Sequence, residues 1–92
     1  MAYRDRQGTE ISAERWADLW EEIEYRVVHD SRVGKAVVRT VWEGVDDVGG
    51  SMFATGVSFN GGQSWQNVME RARTEAEALE LHAAVEKQLS AK

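Results

Sequence analysis

Lys35-Ala-Val-Val-Arg-Thr-Val-Trp-Glu-Gly-Val45 is followed by Asp46-Asp-Val-Gly-Gly50 and then by Ser51-Met-Phe-Ala-Thr-Gly-Val-Ser-Phe59. Two runs rich in β-branched and aromatic residues flank a turn-rich break, which is the pattern of paired strands. In the first run Val37, Val41 and Val45 alternate onto one face with Arg39 and Glu43, while Val38, Thr40 and Trp42 take the other. Both faces are partly apolar, as in the middle of a sheet. In the second run Phe53, Thr55, Val57 and Phe59 alternate with Met52, Ala54, Gly56 and Ser58, so one face is bulky and the other small. Small residues let another element or a partner approach closely. Asn60-Gly61-Gly62 predicts a hairpin. Residues 63–73 then read as a long polar return strand at a sheet edge, with Trp65, Asn67, Met69 and Arg71 alternating.

Helical signals lie on both sides of this block. Ser12 is a candidate N-cap, and Glu14 suits the positive end of a helix dipole. Trp16, Leu19, Trp20 and Ile23 follow at i, i+3, i+4 and i+7, so an amphipathic helix is expected over residues 12–24. Residues 25–31 switch to a strand pattern that turns through Gly34. Residues 3–8 read as a polar entry, a short edge strand turning at Gln7-Gly8. Thr74-Glu-Ala-Glu77 is a capping box opening a helix to about residue 89. Ala78, Leu81, Val85 and Leu89 form its apolar stripe, with His82 at the margin. The expected fold is one α+β domain, residues 1–92. It is a helix, a three- to four-stranded antiparallel meander and a C-terminal helix, with both helices on one sheet face.

Composition narrows the function classes. Ninety-two residues, 42% hydrophobic and 29% charged, suit a small globular domain. No apolar run approaches the ~20 residues of a membrane span. The N-terminus lacks the apolar core of a signal peptide, which points to the cytoplasm. There is no cysteine, so disulfides and thiolate metal sites are excluded. The net charge is −5, and the acid is concentrated in the helical segments. Residues 1–24 hold three basic and seven acidic side chains, against six and five in residues 25–73. No basic face of the kind that grips nucleic acid is visible. Four tryptophans are many for 92 residues. Three are expected in the core, with Trp65 partly exposed.

No catalytic motif stands out. His29-Asp30-Ser31 holds the residue types of a hydrolase triad, but neighbours in a strand point to opposite faces. Asp46 and Asp47, with Glu43, could face a hard cation, but a turn explains them as well. His82 reads as a boundary residue packed against the sheet. The glycine pairs at 49–50 and 61–62 are turns and not phosphate loops. No cofactor, no metal and no catalytic residue is expected.

Four pieces occur in a recognisable order: Tyr3-Arg-Asp-Arg-Gln-Gly-Thr-Glu-Ile-Ser12, Thr40-Val-Trp-Glu-Gly-Val-Asp46, Phe53-Ala-Thr-Gly-Val-Ser-Phe59 and Thr74-Glu-Ala-Glu-Ala78 running on to His82. Together they resemble a group of small proteins from actinobacteria and their bacteriophages, a group with no established activity. Where that group carries a histidine and aromatics after the aspartate, this chain has Asp47-Val-Gly-Gly50. The resemblance implies a phage or prophage setting inside an actinobacterial cell, and no mechanism.

The reading that accounts for most of these features is a non-enzymatic interaction module that binds and modulates a host protein, with a homodimer as a further expectation. Trp42, Trp65, Arg39 and Arg71 are the expected partner-binding residues. The alternative is a small-molecule or nucleotide binder with its site between helices and sheet. Arg26, Arg39, Arg71 and Trp42 would be its phosphate and base contacts. Nucleic-acid binding is not expected, because the last helix opens on Thr74-Glu-Ala-Glu77, which repels phosphate.

Overall fold

β-Branched alternation and two capped amphipathic segments give the chain an α+β fold. A computed structural model describes residues 2–46, 52–67 and 72–91. In chain order the elements are β1 (Ala2–Arg4), β2 (Glu10–Ile11), α1 (Ala13–Glu21), α2 (Ile23–Arg26), β3 (Val27–Val33), β4 (Ala36–Trp42), β5 (Val45–Asp46), β6 (Phe53–Ser58), β7 (Gln66–Asn67) and α3 (Glu75–Ser90). The main sheet is an antiparallel meander, β3-β4-β6-β7. A second, smaller sheet runs β2-β1-β5.

β4 is the central strand that its two apolar faces foretell. It pairs with β3 from Val33↔Ala36 to Val27↔Val41, and with β6 from Val37↔Ser58 to Trp42↔Phe53. Ala36, Val38, Thr40 and Trp42 are buried, while Val37, Arg39 and Val41 are half-buried. The buried face receives the helices. Val38 lies in one cluster with Val57 and Val85, with Leu89 packed against it. Trp42 lies in another with Leu19, Phe53 and Ala78. α3 therefore covers the length of the face, and α1 closes the end at Trp42. Val45, expected to continue the β4 face, belongs to β5 and pairs with Tyr3.

α1 is capped as expected, with Ser12 Oγ accepting the Arg15 amide at 3.1 Å. It stops at Glu21, three residues before the expected end. The Glu22 backbone is extended, and a separate turn, α2, follows. Ile23, expected in the apolar stripe, is thereby 66% exposed. The break turns Tyr25 inward, where its ring meets Trp42 edge-on at 5.1 Å and its hydroxyl accepts the Arg6 amide at 2.9 Å. A continuous helix would have kept Ile23 packed but lost that contact.

The loop after β6 also differs. β6 ends at Ser58, and Phe59 is 56% exposed. Ser58 is fully buried because its Oγ donates to Asn60 Oδ1 at 2.9 Å and accepts the Gly62 amide at 2.8 Å. These side-chain bonds replace ladder bonds, so β7 begins at Gln66 and not at residue 63. Residues 68–71 of the expected return strand lie outside the described residues. Ala72 re-joins the sheet through a bridge to Phe53. At α3, Thr74 Oγ1 accepts the Glu77 amide at 3.2 Å. The reciprocal bond of the capping box goes one residue too far, to the Arg73 amide at 3.4 Å. His82, expected at the margin of the stripe, is at its centre and 1% exposed.

Gly44 bends the chain from β4 into β5 at φ +72°, and a Cβ there would collide with the Trp42 indole and lie 2.8 Å from the Arg4 carbonyl. Gly34, at φ +60°, has nothing within 4 Å. Gly34→Ala is expected to cost about 1 kcal/mol, the left-handed penalty alone. Gly44→Ala is expected to cost at least about 2 kcal/mol, since collision adds to strain. Urea unfolding of both variants checks this, and equal losses would show that Trp42 does not fill the space beside Gly44.

Candidate functional site

The two faces of the main sheet have different fates. On the face that no described helix covers, β3, β4, β6 and β7 present Asp30, Arg39, Val41, Ala54, Gly56 and Asn67. Alternation places Arg39 there, between the buried Val38 and Thr40. Its Nη2 donates to Asp30 Oδ2 at 3.0 Å, across the Asp30↔Arg39 register pair. Its guanidinium carbon lies 5.0 Å from the Trp65 ring centroid, within cation–π range. Arg39 Nε is shielded from solvent and has no hydrogen-bond partner among the described residues.

Trp65 lies directly over the backbone of Gly56. A Cβ at Gly56 would sit 3.4 Å from Trp65 Cε3. The small face of β6 thus admits the chain's own indole, laid back from the loop before β7. Trp65 remains half-buried, as expected from the sequence. Arg39, Val41, Ala54, Gly56, Trp65 and Asn67 line a shallow groove of about 230 Å³. That is below the ~300–1,000 Å³ of small-molecule pockets. It is the size of one large inserted side chain.

Of the four expected partner-binding residues, Arg39 and Trp65 come together here. Trp42 does not. It is 0% exposed and lies on the opposite face of β4, so its place among partner-binding residues is corrected to a core role. Three residues along a strand from Arg39, it had to face the other way. Arg71 lies outside the described residues. Of the residues suspected of gripping a nucleotide, Trp42 and Arg39 lie on opposite faces of β4. Arg26 instead stacks on Trp20, with its guanidinium carbon 3.8 Å from the ring centroid. Asp46, at the start of the acidic turn, pairs with Arg4 at 2.6 Å. Asp47 lies outside the described residues.

Under α3 lies a second polar constellation. His82 Nε2 is 2.8 Å from Ser31 Oγ, and His82 Nδ1 is 2.8 Å from Thr40 Oγ1. Thr40 Oγ1 is in turn 2.8 Å from Thr55 Oγ1, its cross-strand partner. The triad types of residues 29–31 are thus split by strand alternation, as the sequence implied. Ser31 and His29 face α3, while Asp30 turns to Arg39. A histidine distant in sequence nevertheless reaches Ser31. The third member is a threonine and not a carboxylate, and a hydroxyl can either donate or accept. It does not fix His82 as a base towards Ser31, as a carboxylate would. The signal for His82 was in the sequence, since it falls four residues after Ala78 and three before Val85, inside the buried stripe.

No family model, no curated protein and no solved structure matches the chain.

Burial, and then the neighbouring His29, push the His82 pKa below the ordinary histidine value, against the weaker pull of Glu86 and Asp30. The folded state therefore resists protonation that the unfolded state accepts. Stability from this group is fully present above about pH 6.5, the unfolded value, and is lost as pH falls towards the depressed folded value. The urea midpoint, measured in chelator-containing buffer, is expected to fall between about pH 7.5 and about pH 5.5. The fall should be smaller in His82→Gln. An equal fall in the variant would assign the acid sensitivity elsewhere.

Proposed function

We propose that this protein is a non-enzymatic binding module that holds a partner protein on the uncovered face of its main sheet, around Arg39 and Trp65. The observation that carries this reading is the pairing of those two side chains on the floor of a groove sized for one large side chain. Arginine and tryptophan are the residue types most enriched at binding hot spots, and such spots sit in small pockets filled by a partner anchor. Burying the guanidinium's stacked face beneath a partner would exclude water from a cation that already has one carboxylate. The groove's small volume argues against a nucleotide as the occupant. The resemblance to proteins of actinobacteria and their phages supports a host protein as the partner, met in the bacterial cytoplasm. A second copy of the chain is the other occupant that this face would suit, giving a homodimer.

Trp65→Ala and Arg39→Ala are expected to abolish capture of one host protein recovered by the wild-type chain from an actinobacterial extract, each weakening binding by about 2 kcal/mol or more. Both residues are half-buried and lie outside the two core clusters, so unfolding midpoints should move less than for a core truncation. Recovery of the same protein at equal yield by both variants would sink the reading. A concentration-dependent dimer that dissociates in Trp65→Ala would name the second copy as occupant.

A further inference from the structure

The rim between α3 and the outer strand β3 brings together three metal-ligating side chains from two distant segments. His29, on β3, and His82 and Glu86, on α3, offer ligand atoms that all lie within 4.8 Å of one another. His82 and Glu86 are four residues apart on the helix and so share its face. The His29 and His82 rings approach to 4.5 Å between centroids. Burial is graded across the group: His82 is buried, Glu86 half-buried and His29 exposed. The fixed ligand is therefore inside and the adjustable ones face solvent.

We propose that this rim binds a single transition-metal dication of the zinc class through the His29 imidazole, the His82 Nε2 and the Glu86 carboxylate. Two imidazoles and a carboxylate suit zinc, cobalt or nickel, whereas magnesium and calcium want oxygen ligands. Metal–ligand bonds of about 2.0–2.1 Å put tetrahedral ligand atoms about 3.3 Å apart. The three groups must draw together by about 1.5 Å at most, which rotation of the exposed His29 and the half-buried Glu86 supplies. The metal takes the Nε2 direction that Ser31 Oγ now occupies at 2.8 Å, so the Ser31 hydroxyl swings aside, and three protein ligands leave a fourth position for water or for that hydroxyl.

The hydroxyls behind His82 make it suited to this role. A metal on Nε2 requires the proton on Nδ1, with an acceptor beyond it. Thr40 Oγ1 is that acceptor at 2.8 Å, and its own proton can turn to Thr55 Oγ1 at 2.8 Å. Hydroxyl rotation lets Thr40 pair with either tautomer without displacing a heavy atom; the Nε2 proton itself leaves to solvent when the metal binds. A backbone carbonyl or amide in Thr40's place would have locked one tautomer. The site lies on the helix side of the sheet, away from the Arg39–Trp65 groove, and stands apart from the partner-binding reading.

The test is calorimetric titration of the tag-free, chelator-stripped chain with zinc chloride near neutral pH, with magnesium chloride as the comparison. Saturable uptake of one zinc per chain is expected, with no magnesium uptake. His29→Ala and Glu86→Gln are each expected to weaken the zinc Kd by at least about tenfold. His29 is exposed and Glu86 half-buried at the rim, so metal-free circular dichroism and melting should stay close to the wild type. Zinc should raise the melting temperature of the wild type but not of the double variant. Absence of saturable zinc uptake would overturn the site. So would an affinity unchanged in the double variant, which would place the metal on other surface carboxylates.

Discussion

Burial of Trp42 couples the two sheets to each other and to the helices. Its indole Nε1 donates to the Arg4 carbonyl at 2.9 Å, which fastens β1 to the end of β4. Its ring meets Tyr25 at 5.1 Å and Trp20 at 6.4 Å, and Leu19 and Phe53 complete the cluster. A second indole does the same work one residue on, with Trp16 Nε1 donating to the Glu43 carbonyl at 2.8 Å. Burying a tryptophan removes about 200 Å² from water, on the order of 5 kcal/mol at the usual area coefficient and an upper estimate. In a domain of this size that is a large share of net stability. The strands of the small sheet are only two or three residues long and would not persist alone. They persist because Trp42 and Trp16 hold their backbone, and because Arg6 ties the N-terminal turn to Glu75 of α3 at 2.7 Å.

With the helices gathered on the Trp42 side, the sheet has one closed face and one open face. The closed face is not wholly apolar. Thr40, Thr55 and His82 form a continuous hydrogen-bonded chain that reaches the rim at Ser31. A buried polar chain of this kind is tolerated only when its members find partners, since a lone buried donor costs about 1–3 kcal/mol. Its consequence is specificity: sliding α3 along the sheet would strand His82 against Val38 or Trp42. Leucine in its place would pack comparably but would specify the register less.

The open face has the opposite character. Among the described residues it keeps a cation half-buried against an indole, with one carboxylate for company and one donor unpaired. The face gains little for folding from this arrangement, because exposed ion pairs contribute about 0–1 kcal/mol. What it leaves at the surface is an arginine on the central strand with an indole laid against it from the loop before β7. The binding reading rests on that contrast between a face organised for folding and one that folding leaves unused.

Much of the architecture was legible from residues alone. Period-two alternation identified β4 and β6, the Ser12 and Thr74 caps placed the two main helices, and the valine-rich double face of residues 35–45 marked a central strand. These are local signals, set by backbone geometry over a few residues. Two of the misplacements share one cause. Trp42 and Ile23 were judged on local patterns, whereas their exposure depends on where the chain goes next; His82 differs, since its spacing from Ala78 and Val85 already put it inside the stripe. Glu22 breaks the helix, so Ile23 is left outside and Tyr25 swings in. β5 leaves the main sheet, so the end of β4 is roofed and Trp42 is sealed. Arg39 and Trp65 were each picked out by residue type, but their pairing needed the loop after β6 to lay the indole back over the sheet. The sequence by itself determined the element types, the caps and which side chains share a face, because these follow from φ, ψ and side-chain direction. Only the tertiary structure decided which face is covered and that Ser31, His29, Thr40 and His82 meet, because contacts across about forty or fifty residues are set by packing and leave no periodic trace in the chain.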